Sequence, residues 1–416
     1  MKRWLEEQEE KELLSLVSRL IGIPSSIKDG DRIYRFAEKY LEDKGFEIIP
    51  QKVKSPHVQY SEFNNIYVKF GNGNGPKIAL NGHLDTVGIY NGWYYEPYSA
   101  TVHDGRMYGV GAADMKGGVA CAIQSMLALK DRLGDIDGEI FLSLVYGEEA
   151  PFSLGTDTLL RENDMSGYEM IIVTEPSPVV TQNDYCMTHK KYHRSRFPVI
   201  IIGAEGRVLF EIDVYGRSSH ASHPSQGINA LHDASRIVTE LSRFDLFSNI
   251  KMGRGHYCVI NMEGGDQSFT VPSHCKLFVN RQLTLGEDAK SVIKEIKRLI
   301  KALKLKSKVS VQKRYSPAPE LEYKPYICEK GDFLSLFKEM IPVPPYGKVG
   351  KKGYRKCLFT TSSVGDFNLF GTRTKVPTVV FGPGGGNIHC PNEFVNVDEM
   401  IETTNHLLNF FMEVYS

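Results

Sequence analysis

Residues able to do chemistry recur in this 416-residue chain at one kind of place, the end of a short apolar or glycine-rich run. His83 and Asp85 close such a run in NGHLDTVG, Asp114 follows GVGAA, Glu148 and Glu149 follow EIFLSLVYG, and Glu175 follows EMIIVT. A second imidazole, His389, arrives near the far end of the chain, after the glycine run GPGGGN. Two imidazoles with three carboxylates and no clustered thiolates suit borderline divalent ions, Zn²⁺ first, with Co²⁺ or Mn²⁺ as substitutes. His83, Asp114, Glu149, Glu175 and His389 are too many donors for one catalytic zinc, and enough for two ions that share a carboxylate. Such a pair lowers the pKa of water and polarises a carbonyl, yet still requires a nearby base to move the proton. Glu148, adjacent to a ligand but free of that duty, fits the role. Each feature alone has a plainer reading. An H-x-D triplet arises by chance, an acidic residue at a helix start caps the helix, and adjacent glutamates can form a solvated turn. Their joint occurrence after successive strands is what favours a site.

The elements that must position these groups follow from periodicity and punctuation. Ile66–Phe70 and Pro76–Leu80 read as strands joined by the turn GNGNG, from their β-branched residues and bounding glycines. His83 and Asp85 then lie at a strand's carboxyl end, where ligands bind in open α/β sheets. Residues i and i+2 of an extended segment share a face, so the pair can address one centre. Strands Glu139–Tyr146 and Glu169–Val173 deliver Glu148/Glu149 and Glu175 by the same logic. Leu13, Leu14, Leu16, Val17, Leu20 and Ile21 mark an amphipathic helix over residues 4–22. A further helix is expected to begin at Asp114, its Gly117, Gly118, Ala120, Cys121 and Ala122 allowing close approach to the sheet. Residues 89–112 form a long Tyr-, Trp- and Gly-rich loop, residues 176–205 a surface excursion, and Val397–Tyr415 a last helix packing on the first domain. From Gly206 the rhythm changes to β-α-β-β-α-β: Val208–Tyr215, Ile228–Phe244, His256–Glu263, Ser273–Leu283, Glu287–Leu303 and Lys308–Arg314. That order is the ferredoxin-like split βαβ module. The fold class is therefore α/β, with a discontinuous metal-binding domain, residues 1–205 and 315–416, interrupted by an inserted α+β domain, residues 206–314.

Composition excludes several function classes. Fifty basic and fifty acidic residues give zero net charge, which supports neither a nucleic-acid footprint nor a membrane surface. The amino-terminal stretch is too charged for a signal peptide, and no run approaches the ~18 apolar residues of a spanning helix. Seven scattered cysteines without a CxxC fit a reducing cytoplasm.

Taken together, NGHLDTVG, GVGAADMKGG, YGEEA, TEPS and IHCPNE resemble the ordered signatures of the dizinc aminoacylase and carboxypeptidase superfamily, which includes acetylornithine deacetylase, succinyl-diaminopimelate desuccinylase and the glutamate carboxypeptidases. The resemblance covers nearly the whole chain. It implies an α/β/α sandwich catalytic domain with a mixed sheet and a lid or dimerisation role for the insertion. It also implies His83 and Glu175 on one ion, Glu149 and His389 on the other, and Asp114 bridging. Asp85 would accept the second N–H of His83 and fix its tautomer. Glu148 would be the general base and later the proton donor to the leaving amine. In GRSSHASHPSQGINA the resemblance falls on His220, not His223, as a group that stabilises the oxyanion, commonly from a neighbouring subunit of a homodimer. The implied substrate is an N-acyl amino acid or a short peptide, cleaved by water activated by two metals. One departure bears on substrate: Gln282 stands where relatives often place an arginine that holds a substrate carboxylate, while Arg281 should face the other way. Phe269 likewise stands where relatives often have asparagine. Gly384, Gly385 and Gly386 are candidates for backbone N–H contacts to substrate.

Overall fold

The apolar runs that precede the candidate residues are strands, as their β-branched content dictates. Lys77–His83 lies between Glu139–Val145 and Met170–Val173, parallel to both, and Thr378–Val380 continues the parallel set beyond Met170–Val173. Every residue of Glu139–Val145 and Met170–Val173 is buried, as expected of parallel strands covered on both faces. His83 pairs with Val145 and Asn81 with Val173, so the chain leaves all three strands at one edge of the sheet. The computed structural model describes residues 4–53, 63–149, 153–177, 185–186, 191–192, 197–243, 248–249, 252–265, 268–314, 322–341 and 358–416. Half of the expected surface excursion at 176–205 lies outside them, and its described end is no excursion: Ile200–Ala204 is a buried strand of the sheet, paired in parallel with Leu358–Thr361.

The chain forms two compact units, one of residues 1–204, 327–361 and 365–416, the other of residues 205–326 and 362–364. In the first, a mixed sheet of eleven strands among the described residues is flanked by helices in an α/β/α sandwich. Antiparallel Phe63–Phe70 and Ile48–Val53 extend the sheet beyond Glu139–Val145. The strands joined by GNGNG are consequently not neighbours, because Glu139–Val145 lies between them. The turn instead donates Asn72 N–H to the Ile136 carbonyl and Gly73 N–H to that of Gly138. Helices Glu7–Ile21, Gly117–Leu133 and Val397–Tyr415 pack together, burying Leu13, Val17, Ile123, Met126, Leu407 and Phe411 in one core. Each such side chain contributes about 1.5–3 kcal/mol by leaving water. A Cβ at Gly118 would stand 1.8 Å from the Thr174 carbonyl, so Gly117–Leu133 presses against the backbone that delivers Glu175.

In the second unit the antiparallel sheet runs His256–Gly264, His274–Leu283, Gly206–Tyr215, Lys308–Lys313, with helices Ala230–Arg243 and Ala289–Ala302 burying Ile237, Leu241, Val292 and Ile296 against it. The unit extends past residue 314 to 326, Tyr323 bridging to Arg207. Among the described residues no helix is long and apolar enough to cross a membrane.

Candidate metal centre

His83 is the last residue of its strand and is wholly buried. Its Nδ1 lies 2.9 Å from the backbone carbonyl of Asp85, which leaves Nε2 to face Asp114 Oδ1 and Glu175 Oε1, each 3.3 Å away. Across Asp114, Oδ2 is 3.5 Å from His389 Nε2, and the same nitrogen is 2.7 Å from Glu149 Oε1. One carboxylate thus turns one oxygen to a His/Glu pair and the other oxygen to a second His/Glu pair. Ligand atoms of His83, Asp114 and Glu149 all lie within 4.8 Å of one another. His389 has φ 58, an uncommon left-handed conformation for a residue with a side chain and one that concentrates at functional sites.

The electrostatics match a cation site. Burial pushes the Glu175 carboxyl up to about 8, with Asp114 adding to the rise and His83 opposing it. Burial likewise raises Glu149, reinforced by Asp114. Burial would raise Asp114 too, but the adjacent His389 and His83 imidazoles hold it well below the usual carboxylate range. His389 is raised to about 11 by Asp114 and Glu149, and His83 stands well above its usual value through Asp114 and Glu175 despite burial. Buried carboxylates crowded about two imidazoles, with a buried His83 Nε2 that makes no well-formed hydrogen bond, fit a borderline divalent ion.

Glu148 sits beside this set, Oε2 being 4.0 Å from His83 Nε2. Burial pushes its carboxyl well above the ordinary range; His83 draws it back, and the charges of Asp366, Glu149 and Glu175 push it further up. A Cβ at Gly365 would meet Glu148 Oε1 at 2.7 Å, so a glycine there leaves the carboxylate its room.

The arrangement corrects several expectations. Asp114 does not open a regular helix: Ala112–Lys116 is a kinked turn in which Asp114 has φ −117 and ψ 93, and the helix starts at Gly117. The capping alternative therefore falls away. The Asp85 carboxylate is not the close partner of His83, its Oδ1 lying 3.7 Å from Nδ1. It accepts instead the N–H groups of Gly147 (3.0 Å), Glu148 (3.3 Å) and Glu149 (3.0 Å), with the Tyr34 hydroxyl at 3.3 Å. Gly384 has no free N–H for substrate, donating it to Glu399 Oε2 at 2.8 Å. Gly385 and Gly386 form a short strand paired with Val395 and Phe394, and a Cβ at Gly385 would lie 2.2 Å from the Phe394 carbonyl. Steric need thus accounts for this glycine.

Within the second unit, His220 is exposed on a loop, its Nδ1 accepting the Ser222 N–H at 3.2 Å. Arg281 is wholly buried, paired with Glu287 and lying 4.9 Å from the Tyr257 ring centroid, so it is a packing residue and not a substrate contact. Gln282 is buried and donates its amide to the Ser362 carbonyl. Phe269 is 84% exposed. Three residues about the metal centre escaped the sequence reading: Tyr34, Asp366 and Glu393. Glu393 stood in IHCPNE without a role; Asp366 lies outside the sequence motifs, and Tyr34, inside an amphipathic helix, carries no local signal.

The sequence matches Peptidase family M20/M25/M40 over residues 79–413. The chain belongs to that family. Peptidase family M20/M25/M40 membership makes it an enzyme, a metal-dependent hydrolase of amide bonds. Succinyl-diaminopimelate desuccinylase of Methylobacterium radiotolerans is 27% identical over 403 residues, 94% of each chain. In fold, the M20/M25/M40 chain resembles a tripeptidase from Staphylococcus aureus, with TM-score 0.74 and 18% identity over 97% of this chain and 98% of that one. It also resembles Bacillus subtilis YxeP, described as a dinuclear metal binding peptidase, with TM-score 0.68 and 15% identity over 99% of both chains.

Proposed function

We propose that the chain is a cytoplasmic two-metal deacylase that removes an acyl group, succinyl in the first instance, from the amino group of an amino acid. The observation that carries this reading is the division of Asp114, one oxygen toward His83 and Glu175 and the other toward His389 and Glu149. His83 and Glu175 would hold one ion, Glu149 and His389 the other, and Asp114 both. When bound, Zn²⁺, or Co²⁺ or Mn²⁺ in its place, supplies Lewis acidity and makes water a nucleophile near neutral pH. Glu148 takes the proton from that water and delivers it to the leaving nitrogen, and its raised pKa suits a group that must both accept and donate. His220 is exposed and meets Ser222 through Nδ1, and its imidazole is a residue type that can donate to an oxyanion. We assign it that role from a neighbouring copy of a homodimer. The edge strand His256–Gly264, with Ile260 52% and Met262 40% exposed, supports the insertion as the dimer surface.

The test is hydrolysis of a panel of N-succinyl amino acids, N-acetyl amino acids and dipeptides, with and without Zn²⁺, Co²⁺ and Mn²⁺. Metal-dependent cleavage of the N-acyl members is expected. Cleavage confined to substrates with a free amine would replace the deacylase reading with a small-peptide hydrolase.

A further inference from the structure

We infer that Glu393 is a positioning residue for the metal centre: it fastens the chain carrying His389 to the turn carrying Asp114. The inference rests on the two-metal reading above and assigns Glu393 no contact with metal or substrate. Glu393 is 3% exposed, and both carboxylate oxygens are spent on one backbone segment. Oε1 accepts the N–H groups of Ala113 (2.9 Å) and Asp114 (3.0 Å), and Oε2 accepts that of Gly111 (3.0 Å). The Glu393 carbonyl accepts the Gly109 N–H at 3.0 Å, extending the same attachment.

The need for such a clamp comes from the backbone. The kinked turn Ala112–Lys116 departs from helical geometry at Asp114 and Met115, and Gly111 before it is left-handed with φ 73. Buried N–H groups there would have no acceptor without Glu393, a costly state for the backbone. Lys116, also buried, donates to the Ile23 carbonyl at 3.1 Å and so ties the end of the same turn. Glu393 lies four residues beyond His389 in IHCPNE. The two groups it links, His389 Nε2 and Asp114 Oδ2, are 3.5 Å apart. Movement of either backbone would open the second His/Glu half of the centre and tilt the shared carboxylate away from the first.

The test uses full-length protein, loaded with Co²⁺ as the probe, and the variant Glu393→Gln. The amide keeps size and one acceptor oxygen but places an NH₂ group against a backbone N–H. Affinity for Co²⁺, measured by titration calorimetry, is expected to fall roughly 10–100-fold, as for other groups that orient ligands from behind. The visible spectrum of the bound Co²⁺ should change with it. Glu139→Gln is the control, because Glu139 is a buried carboxylate at the far end of the Glu139–Val145 strand that accepts from Tyr168. It should lower melting temperature without changing Co²⁺ affinity or spectrum. Should Glu393→Gln not fold, Glu393→Asp, which keeps the carboxyl group and loses reach, must show the same loss. Wild-type affinity and spectrum in the Glu393 variants, or an equal loss in Glu139→Gln, would overturn the inference. Failure of the wild-type protein to bind Co²⁺ would overturn the two-metal reading itself.

Discussion

Asp85 acts on the metal centre through the backbone of another loop. Its carboxylate gathers the N–H groups of Gly147, Glu148 and Glu149, while its main-chain carbonyl meets His83. Asp85→Asn should therefore leave the His83 partner in place and disturb the turn that bears Glu148 and Glu149. An amide oxygen can serve Gly147 and Glu148, but the NH₂ then faces the Glu149 N–H, at a cost of about 1–3 kcal/mol. Urea denaturation of the metal-free protein should show that loss, accompanied by weaker binding of one ion; unchanged stability would return Asp85 to the role of a partner for His83. Residue type and position alone singled out His83, Asp114, Glu149, Glu175 and His389, because each follows an apolar strand or a glycine run. What Asp85, Arg281 and Gly384 do was not legible. Their partners are set by tertiary approach, such as the 62 residues separating Asp85 from Gly147, and local spacing carries no trace of it.

At the level of elements, β-branched runs identified the strands, and the spacing of apolar residues identified the last helix, Val397–Tyr415, with the bounds observed. Order along the chain did not reveal order in the sheet. Phe63–Phe70 and Lys77–His83 are consecutive and joined by a short glycine turn, yet Glu139–Val145 separates them. The reason is that Lys77–His83 is buried on both faces and satisfied by two parallel neighbours, a pattern invisible in one strand's own residues. The turn bearing Asp114 misled for a related reason. Its small residues read as the start of a helix, but its N–H groups are bound by Glu393 from some 280 residues away. The clamp lets the chain depart from the helix where the Asp114 carboxylate must turn toward both His83 and His389.

On the scale of the whole molecule, so many buried carboxylates make the metal-free protein sensitive to pH. The Glu175 carboxyl is raised from 4.5 to about 8 in the folded state, chiefly by burial. The folded state therefore holds a proton that the unfolded state has released, and stability present below about 4.5 is lost as pH rises toward about 8. Glu393, raised to about 8 by burial, acts with the same sign. Lys116, lowered by burial to about 7, opposes the trend only above that pH. Thermal melts should show the metal-free protein weakening across this range and Zn²⁺ restoring it most at the upper end. A flat profile, or melts indifferent to Zn²⁺, would contradict this electrostatic account. The change of rhythm at Gly206 made the inserted module legible, since β-α-β-β-α-β is a pattern of order and needs no knowledge of contacts.

In the proposed reaction Glu148 moves the proton, and Asp114 and its neighbours would hold the metal. That role of Glu148 is tested most directly by comparing Glu148→Gln with the wild-type protein on the N-acyl substrate that the wild type cleaves best, with bound metal quantified in both. The variant should retain the same metal content and lose turnover by roughly 10²–10⁴-fold. Turnover near the wild-type rate at equal metal content would contradict the account.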